Sequence, residues 1–129
     1  MSSLVTFAAD ELWETWGDPV RGRLRWTLLT DGADPFPGMV TTGVMTLEAD
    51  GWLGRHRHTA PELYYVLDGE AAVTLDGDEV RVGVGSVVRL PSDVEHGVRA
   101  VDGPVRILFV FPTSGFADVV YRFDEDEAA

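Results

Sequence analysis

The sequence of 129 residues contains no cysteine and few basic side chains. The absence of cysteine excludes disulfides, a thiolate nucleophile and cysteine-based zinc or iron–sulfur sites. Histidine and carboxylate therefore remain as the side chains for metal chemistry. Only 10 residues are Lys or Arg against 22 Asp or Glu, which gives a net charge of −12. That balance argues against nucleic acid and anionic membrane surfaces as partners, because both attract basic proteins.

Long apolar stretches are also missing. The longest strongly apolar run covers residues 107–111, whereas a membrane-spanning helix needs roughly 20 apolar residues. The first residues show no basic region followed by an apolar stretch, so no signal peptide is expected and a cytoplasmic protein is predicted. The length and the 45% of hydrophobic residues predict a single domain over 1–129, and we expect the acidic tail 124–129 to be solvated.

The pattern of apolar and turn residues predicts an all-β protein with a short N-terminal helix. Asp10 is expected to cap this helix, which would carry Leu12, Trp13 and Trp16 at helical spacing. Asp-Gly pairs at 68–69, 76–77 and 102–103 predict two-residue hairpin turns between strands. Many short strands separated by turn signals indicate a sandwich or a barrel. The predicted strands are 23–29, 39–47, 62–67, 71–75, 79–82, 86–90, 97–101, 105–111 and 119–123, with a loop at 31–38.

The three histidines of the chain form the most informative pattern. His56 and His58 are two residues apart and would share one face of an extended strand. Glu62 keeps the same parity if that strand continues, and His96 comes from another segment. Three imidazoles and one carboxylate suit one divalent transition metal (Fe, Mn, Ni, Zn, Co or Cu), whose identity the sequence leaves open. The alternative is that the histidines are buried polar groups of the core.

The spacing of these residues resembles the two motifs of the cupin family. The first motif covers residues 51–69 and holds His56, His58 and Glu62, and the second covers residues 85–100 and holds His96. Three features depart from the family pattern: the first gap is one residue short, Asp93 replaces a glycine and Ala100 replaces an asparagine. The resemblance implies a double-stranded β-helix, which is a jelly-roll barrel, with a metal held by the four residues.

A narrower resemblance is to the short cupin lyases that cleave dimethylsulfoniopropionate to acrylate and dimethyl sulfide. It rests on the length, the metal-ligand set, Arg25-Trp26, the run Glu62-Leu63-Tyr64 and a tail that contains Tyr121. It implies that Tyr64 is the catalytic base and that Tyr121 is a second tyrosine in the pocket. The alternative is packing, since an inward tyrosine in a small barrel is more often a packed residue with its hydroxyl satisfied. Small cupins often form homodimers, and the resemblance implies the same here.

Three functions follow as hypotheses. The first is a metal-dependent β-eliminating lyase acting on dimethylsulfoniopropionate or a similar small carboxylate, with aromatic residues holding the sulfonium group. The second is a non-haem iron dioxygenase of a small organic substrate on the same ligand set. The third is a non-catalytic cupin that binds a small ligand. Release of acrylate, uptake of oxygen or the absence of any turnover would separate the three.

Overall fold

The computed structural model describes residues 5–31, 40–113 and 115–123. Most of the predicted loop 31–38 and the acidic tail 124–129 lie outside these described residues. Short 3₁₀ helices occupy Ala8–Asp10 and Phe116–Asp118. The strands are β1 (Glu14–Asp18), β2 (Gly22–Thr30), β3 (Thr41–Leu47), β4 (Trp52–Arg57), β5 (Glu62–Leu75), β6 (Asp78–Val82), β7 (Val87–Leu90), β8 (His96–Phe111) and β9 (Arg122–Phe123). No helix in the described ranges is long and apolar enough to cross a membrane.

The strands form one antiparallel sheet that closes on itself. Its order is β6-β5-β8-β3-β2-β4-β9, with β1 on β2 and β7 on β5. Strand β8 pairs with β3 on one side and also with β4, so β8, β3, β2 and β4 form a closed ring. Closure of this kind removes sheet edges and leaves an interior that side chains fill. The predicted all-β jelly-roll barrel is confirmed.

Two of the three Asp-Gly pairs do not form the predicted hairpins. Strands β5 and β8 run without interruption through residues 68–69 and 102–103, and they pair with each other on both sides of these positions. The pairing register shifts there. Gly69 has a φ of +81°, and a Cβ atom at this position would collide with the Pro104 carbonyl oxygen. Positive φ is therefore used for irregularities that bend two long strands. Only Asp76-Gly77, with φ values of 48° and 91°, joins adjacent strands in a two-residue hairpin.

The N-terminal helix differs from its prediction. The only helical residues near Asp10 form the 3₁₀ turn Ala8–Asp10, which ends where the predicted helix would begin. Trp16 instead lies in β1, opposite Leu24 of β2, while Leu12 is 91% exposed. Pairing with β2 and packing of the Trp16 ring on other aromatic rings outweigh the weak helical spacing, because aromatic residues favour strands where they can pack across them.

The barrel interior is apolar except in one place. Alternate residues of β3, β5 and β8 point inward and bury side chains such as Met45, Val66 and Ile107. Seven described polar side chains are also buried, and four of them are the predicted metal ligands. Burying imidazole and carboxylate groups is costly unless they have partners. The atoms around these four side chains therefore indicate the function of this part of the barrel.

Candidate metal centre

The three histidines meet inside the barrel. His56 lies in β4 directly opposite His96, the first residue of β8, and His58 follows the end of β4. Each is at most 1% exposed, and one ring nitrogen from each lies within 4.8 Å of the others. The strand does not continue from His58 to Glu62, since β4 ends before His58 and β5 begins at Glu62, where the predicted strand 62–67 also begins. The intervening turn nevertheless returns Glu62 to the same place.

Backbone carbonyl oxygens fix the orientation of every histidine ring. The Nδ1 atoms of His56, His58 and His96 lie 2.7, 2.7 and 2.9 Å from the carbonyl oxygens of residues 54, 60 and 94. Each carbonyl can only accept, so each Nδ1 carries the proton and donates it. In the neutral ring the lone pair then belongs to Nε2. Such hydrogen bonds hold metal-binding imidazoles in position in many proteins.

The Nε2 atoms of the three histidines and the carboxylate of Glu62 are all hydrogen-bond acceptors, and none of them donates to another. The Nε2 atoms of His56 and His96 have no hydrogen-bond partner among the described residues. The Oε1 atom of Glu62 lies 3.1 Å from Nε2 of His58 and 3.4 Å from Nε2 of His96. Burial, with His96 and His58 adding to it, holds the pKa of His56 well below its usual value. Neutral nitrogen lone pairs facing a carboxylate fit a divalent cation, which all of them can bind at once.

A pocket adjoins the four residues and opens to solvent. The enclosed space is narrow, and Glu62 is the ligand candidate that contributes to its lining. Tyr64 lines it and is 1% exposed, and Tyr121 lines it and is half-buried. The Tyr64 ring centre lies 6.1 Å from that of His96, and the Tyr121 ring stacks on His56 at 5.0 Å. The described residues that line it are Trp16, Leu24, Trp26, Met45, Leu53, Glu62, Tyr64, Phe109, Phe116 and Tyr121.

Four aromatic rings form one wall of the pocket, and we call them the aromatic box: Trp16, Trp26, Phe116 and Tyr121. Neighbouring ring centres in the box lie 5.2–6.3 Å apart. The contacts within the box are edge-on or tilted, while Arg21 lies 4.9 Å from the Trp16 ring centre and Tyr121 stacks on His56 and Phe123. Aromatic faces attract cations, which makes the box a suitable wall for a positively charged group.

Both tyrosines are neutral phenols when no cation is present. Burial, the Glu62 charge and Tyr121 raise the pKa of Tyr64 well above its usual value. Burial and Glu62 also raise the pKa of Tyr121 well above its usual value. The negative charge of Glu62 thus opposes ionisation of either phenol, and only positive charge placed near them could favour it.

Comparison with known proteins identifies the family. Residues 43–111 match the cupin domain family. The chain belongs to the cupin family. It is 34% identical to the dimethylsulfoniopropionate lyase DddW of Ruegeria pomeroyi over 106 residues, which cover 82% of this chain and 70% of that protein. Both predicted resemblances, to cupins and to the short cupin lyases, are confirmed.

Solved structures show the same fold. A cupin 2 conserved barrel domain protein from Rhodopseudomonas palustris superposes with a TM-score of 0.76 at 17% identity, covering 95% of this chain and 87% of that chain. The dimethylsulfoniopropionate lyase DddQ of Ruegeria pomeroyi superposes with a TM-score of 0.73 at 23% identity, covering 92% of this chain and 64% of that chain. At these identities the likeness establishes the barrel and leaves the reaction to be argued from the site.

The structure brings the predicted site residues together and adds others. His56, His58, Glu62 and His96 meet, and Tyr64 and Tyr121 line the adjoining pocket, as do Trp26 and Met45. Their roles as ligands and catalytic groups stay predictions. Sequence reasoning missed Trp16 as a lining residue because its segment was interpreted as a helix. The three aromatic and two threonine residues from position 13 to position 27, which have high β-propensity, were the available signal.

Proposed function

We propose that this cupin is a metal-dependent lyase that eliminates a leaving group from dimethylsulfoniopropionate or a similar small carboxylate. One observation carries the proposal. A buried set of three histidines and Glu62 adjoins a narrow pocket lined by two tyrosines, in a chain 34% identical to a dimethylsulfoniopropionate lyase. The small pocket favours a small substrate over a polymer or a large ring system.

The metal ligands would be Nε2 of His56, His58 and His96 together with a carboxylate oxygen of Glu62. The backbone bonds to Nδ1 leave all three Nε2 lone pairs available, so the set is arranged before any ion binds. A bound divalent cation supplies positive charge that stabilises the charge developing on the substrate carboxylate and favours ionisation of a nearby phenol.

The substrate would lie with its carboxylate toward the histidines and its sulfonium group in the aromatic box. The rings of Trp16, Trp26, Phe116 and Tyr121 enclose this end of the pocket. They exclude water there and attract the cation through their faces. The two charged ends of the substrate then occupy chemically different ends of one pocket, and this sets its direction.

Tyr64 would remove the proton from the carbon next to the carboxylate. The electron pair of that C–H bond becomes the carbon–carbon double bond of acrylate. The electron pair of the C–S bond leaves with sulfur, and dimethyl sulfide is released. We assign this role to Tyr64 because it lines the pocket beside His96, and we assign orientation of the substrate to Tyr121, which lines the pocket beside His56.

The test measures acrylate and dimethyl sulfide after incubation of metal-loaded protein with dimethylsulfoniopropionate. We expect both products in equal amounts, without oxygen uptake. Tyr64→Phe should lower kcat by at least about a hundredfold, since a positioned base contributes on this order. Tyr121→Phe should have a smaller effect. Tyr65→Phe is the matched control, because Tyr65 is the next residue and is 42% exposed on the other face of β5.

The outcomes distinguish the hypotheses. Equal yields of both products together with an inactive Tyr64→Phe variant support the lyase. Full activity of Tyr64→Phe contradicts the assigned base. Oxygen uptake with a candidate diketone, thiol or phenol and no acrylate would instead favour a dioxygenase, and ligand binding with no turnover would favour a binding protein.

We also propose a homodimer, on the basis of the resemblance to small cupins. A solution mass twice that of the chain supports it, and a monomeric mass contradicts it.

A further inference from the structure

Trp26 carries a buried donor that lacks an acceptor. The residue lies in β2 opposite Met45, and its ring packs between Trp16 and Phe116 at centre distances of 5.8 and 5.2 Å. Its Nε1 atom is buried and has no hydrogen-bond partner among the described residues. Buried N–H groups are nearly always paired in folded proteins. Because Trp26 lines the pocket, the pocket's ligand is the natural source of the missing acceptor.

Other aromatic rings separate Trp26 from the histidines. Tyr121 stacks on His56, Phe116 lies 6.3 Å from Tyr121, and Trp26 lies 5.2 Å from Phe116. No histidine ring contacts the Trp26 ring in the described part of the chain. A substrate whose carboxylate faces the histidines therefore presents its opposite end, the leaving group, to Trp26.

We propose that the indole N–H of Trp26 binds the leaving group as its bond to carbon breaks. This inference rests on the proposed elimination. As Tyr64 takes the proton, the C–S bond pair moves to sulfur and the sulfonium becomes neutral dimethyl sulfide. A sulfonium is a poor hydrogen-bond acceptor because it is positive, whereas the departing sulfide gains a lone pair. The N–H to sulfur contact thus strengthens along the reaction.

An interaction that strengthens in the transition state raises kcat more than it lowers KM. The ring faces of the aromatic box hold the cation before the reaction, and the N–H at the edge of Trp26 receives the neutral product. This division also predicts that leaving groups with a better acceptor atom, such as a neutral oxygen, are received at the same place. Trp26 would then be a catalytic residue as well as part of the wall.

A kinetic comparison tests this role with metal-loaded protein and dimethylsulfoniopropionate. Trp26→Phe keeps an aromatic ring and removes the N–H. We expect kcat to fall by at least about tenfold while KM changes by less than about twofold. Trp52→Phe is the control, because Trp52 lies in β4 outside the pocket lining. A raised KM with unchanged kcat would overturn the proposal.

A second measurement uses the wild-type protein and does not depend on how a variant folds. The four tryptophans give separate indole N–H resonances in the ¹⁵N-labelled, zinc-loaded protein, and the Trp26 resonance is the one missing in Trp26→Phe. With acrylate bound, addition of dimethyl sulfide should move the Trp26 proton downfield and leave that of Trp52 in place. A resonance that does not move overturns the proposal.

The controls separate the two proposals. A Trp26 N–H proton that already resonates at the downfield position in the ligand-free protein means that the chain supplies the acceptor, and this also overturns the inference. An active wild type combined with an unmoved resonance overturns the role of Trp26 alone. A wild type that releases no acrylate overturns the proposed function, and the inference falls with it.

Discussion

The two ends of the pocket are built in different ways. The histidine end is held by strands in the middle of the sheet, with each ring tied to a backbone carbonyl within four residues of its own position. The aromatic end depends on β1, for which β2 is the one strand partner among the described residues, and on the segment around Phe116, whose backbone N–H donates to Asp31. A rigid end suits metal chemistry, which needs fixed geometry, while an end made of peripheral segments can adapt to the substrate.

The largest effect should come from the histidine end. We expect His96→Ala to lose stoichiometric metal and all measurable turnover, because it removes one imidazole from a set that has no spare histidine in the sequence. Elemental analysis and the product assay measure this, and circular dichroism shows whether the barrel persists. Metal content equal to that of the wild type would show that the three histidines do not act together.

Substitutions at the aromatic end should weaken substrate binding. We expect Trp16→Ala to raise KM by about threefold to tenfold and to leave the metal content unchanged, since one ring face of the box is lost. Trp13→Ala is the matched control, because Trp13 comes from the same segment and contacts Arg25 and the Ala8 carbonyl outside the pocket. Equal effects of both substitutions would mean that the segment matters only for folding.

The histidine end was accessible from sequence, whereas the aromatic end was predicted only in part, because Tyr121 was expected in the pocket and Trp16 was not. The ligand candidates could be predicted because their sequence spacing brings them together even though the chain leaves the strand between β4 and β5. They are His56, His58, Glu62 and His96. The error at Trp16 has a physical origin. The helical spacing of a few apolar residues is a weak local signal, and the pairing of β1 with β2 that overrides it joins residues up to 12 positions apart, Glu14 and Trp26.

The wrong hairpin predictions at two Asp-Gly pairs have the same cause, because local sequence does not show which strands pair. Each of the three has the composition of a tight turn, but only Asp76-Gly77 is flanked by residues that pair with each other. At Gly69 and Gly103 the strands continue because β5 and β8 pair along almost their whole lengths. Local sequence indicates positive φ in all three cases, and only long-range pairing decides between a hairpin and a bulge.

A substitution at Gly43 tests how tightly the barrel wall beside both ends is packed. A Cβ atom at this position would lie 2.3 Å from the Thr27 carbonyl oxygen and 2.3 Å from Phe109, which lines the pocket. We expect Gly43→Ala to lower the free energy of unfolding by about 1–3 kcal/mol in urea titrations, because the backbone and a buried ring must move. Gly83→Ala, whose Cβ would meet only Glu70 at 3.9 Å, should change it by less than about 0.5 kcal/mol.

The smallest expected effect is a pH dependence that belongs to the histidine end. In the metal-free protein the pKa of His56 is lowered on folding, so the unfolded chain binds a proton more readily than the folded one. Stability contributed by the neutral ring is therefore full above the unfolded pKa of 6.5 and falls as the pH drops below it. Urea titrations at about pH 7.5 and about pH 5.5 measure the loss, which cannot exceed about 1.4 kcal/mol per pH unit. His56→Asn should reduce the slope, and an unchanged slope would contradict this assignment.

Titration of metal-free protein with a divalent metal tests the central claim most directly. The measured quantity is the initial rate of acrylate formation from dimethylsulfoniopropionate. We expect the rate to rise in proportion to added metal and to level off at one ion per chain. No acrylate at saturating metal, or the same rate without metal, would contradict a metal-dependent lyase built on the three histidines and Glu62.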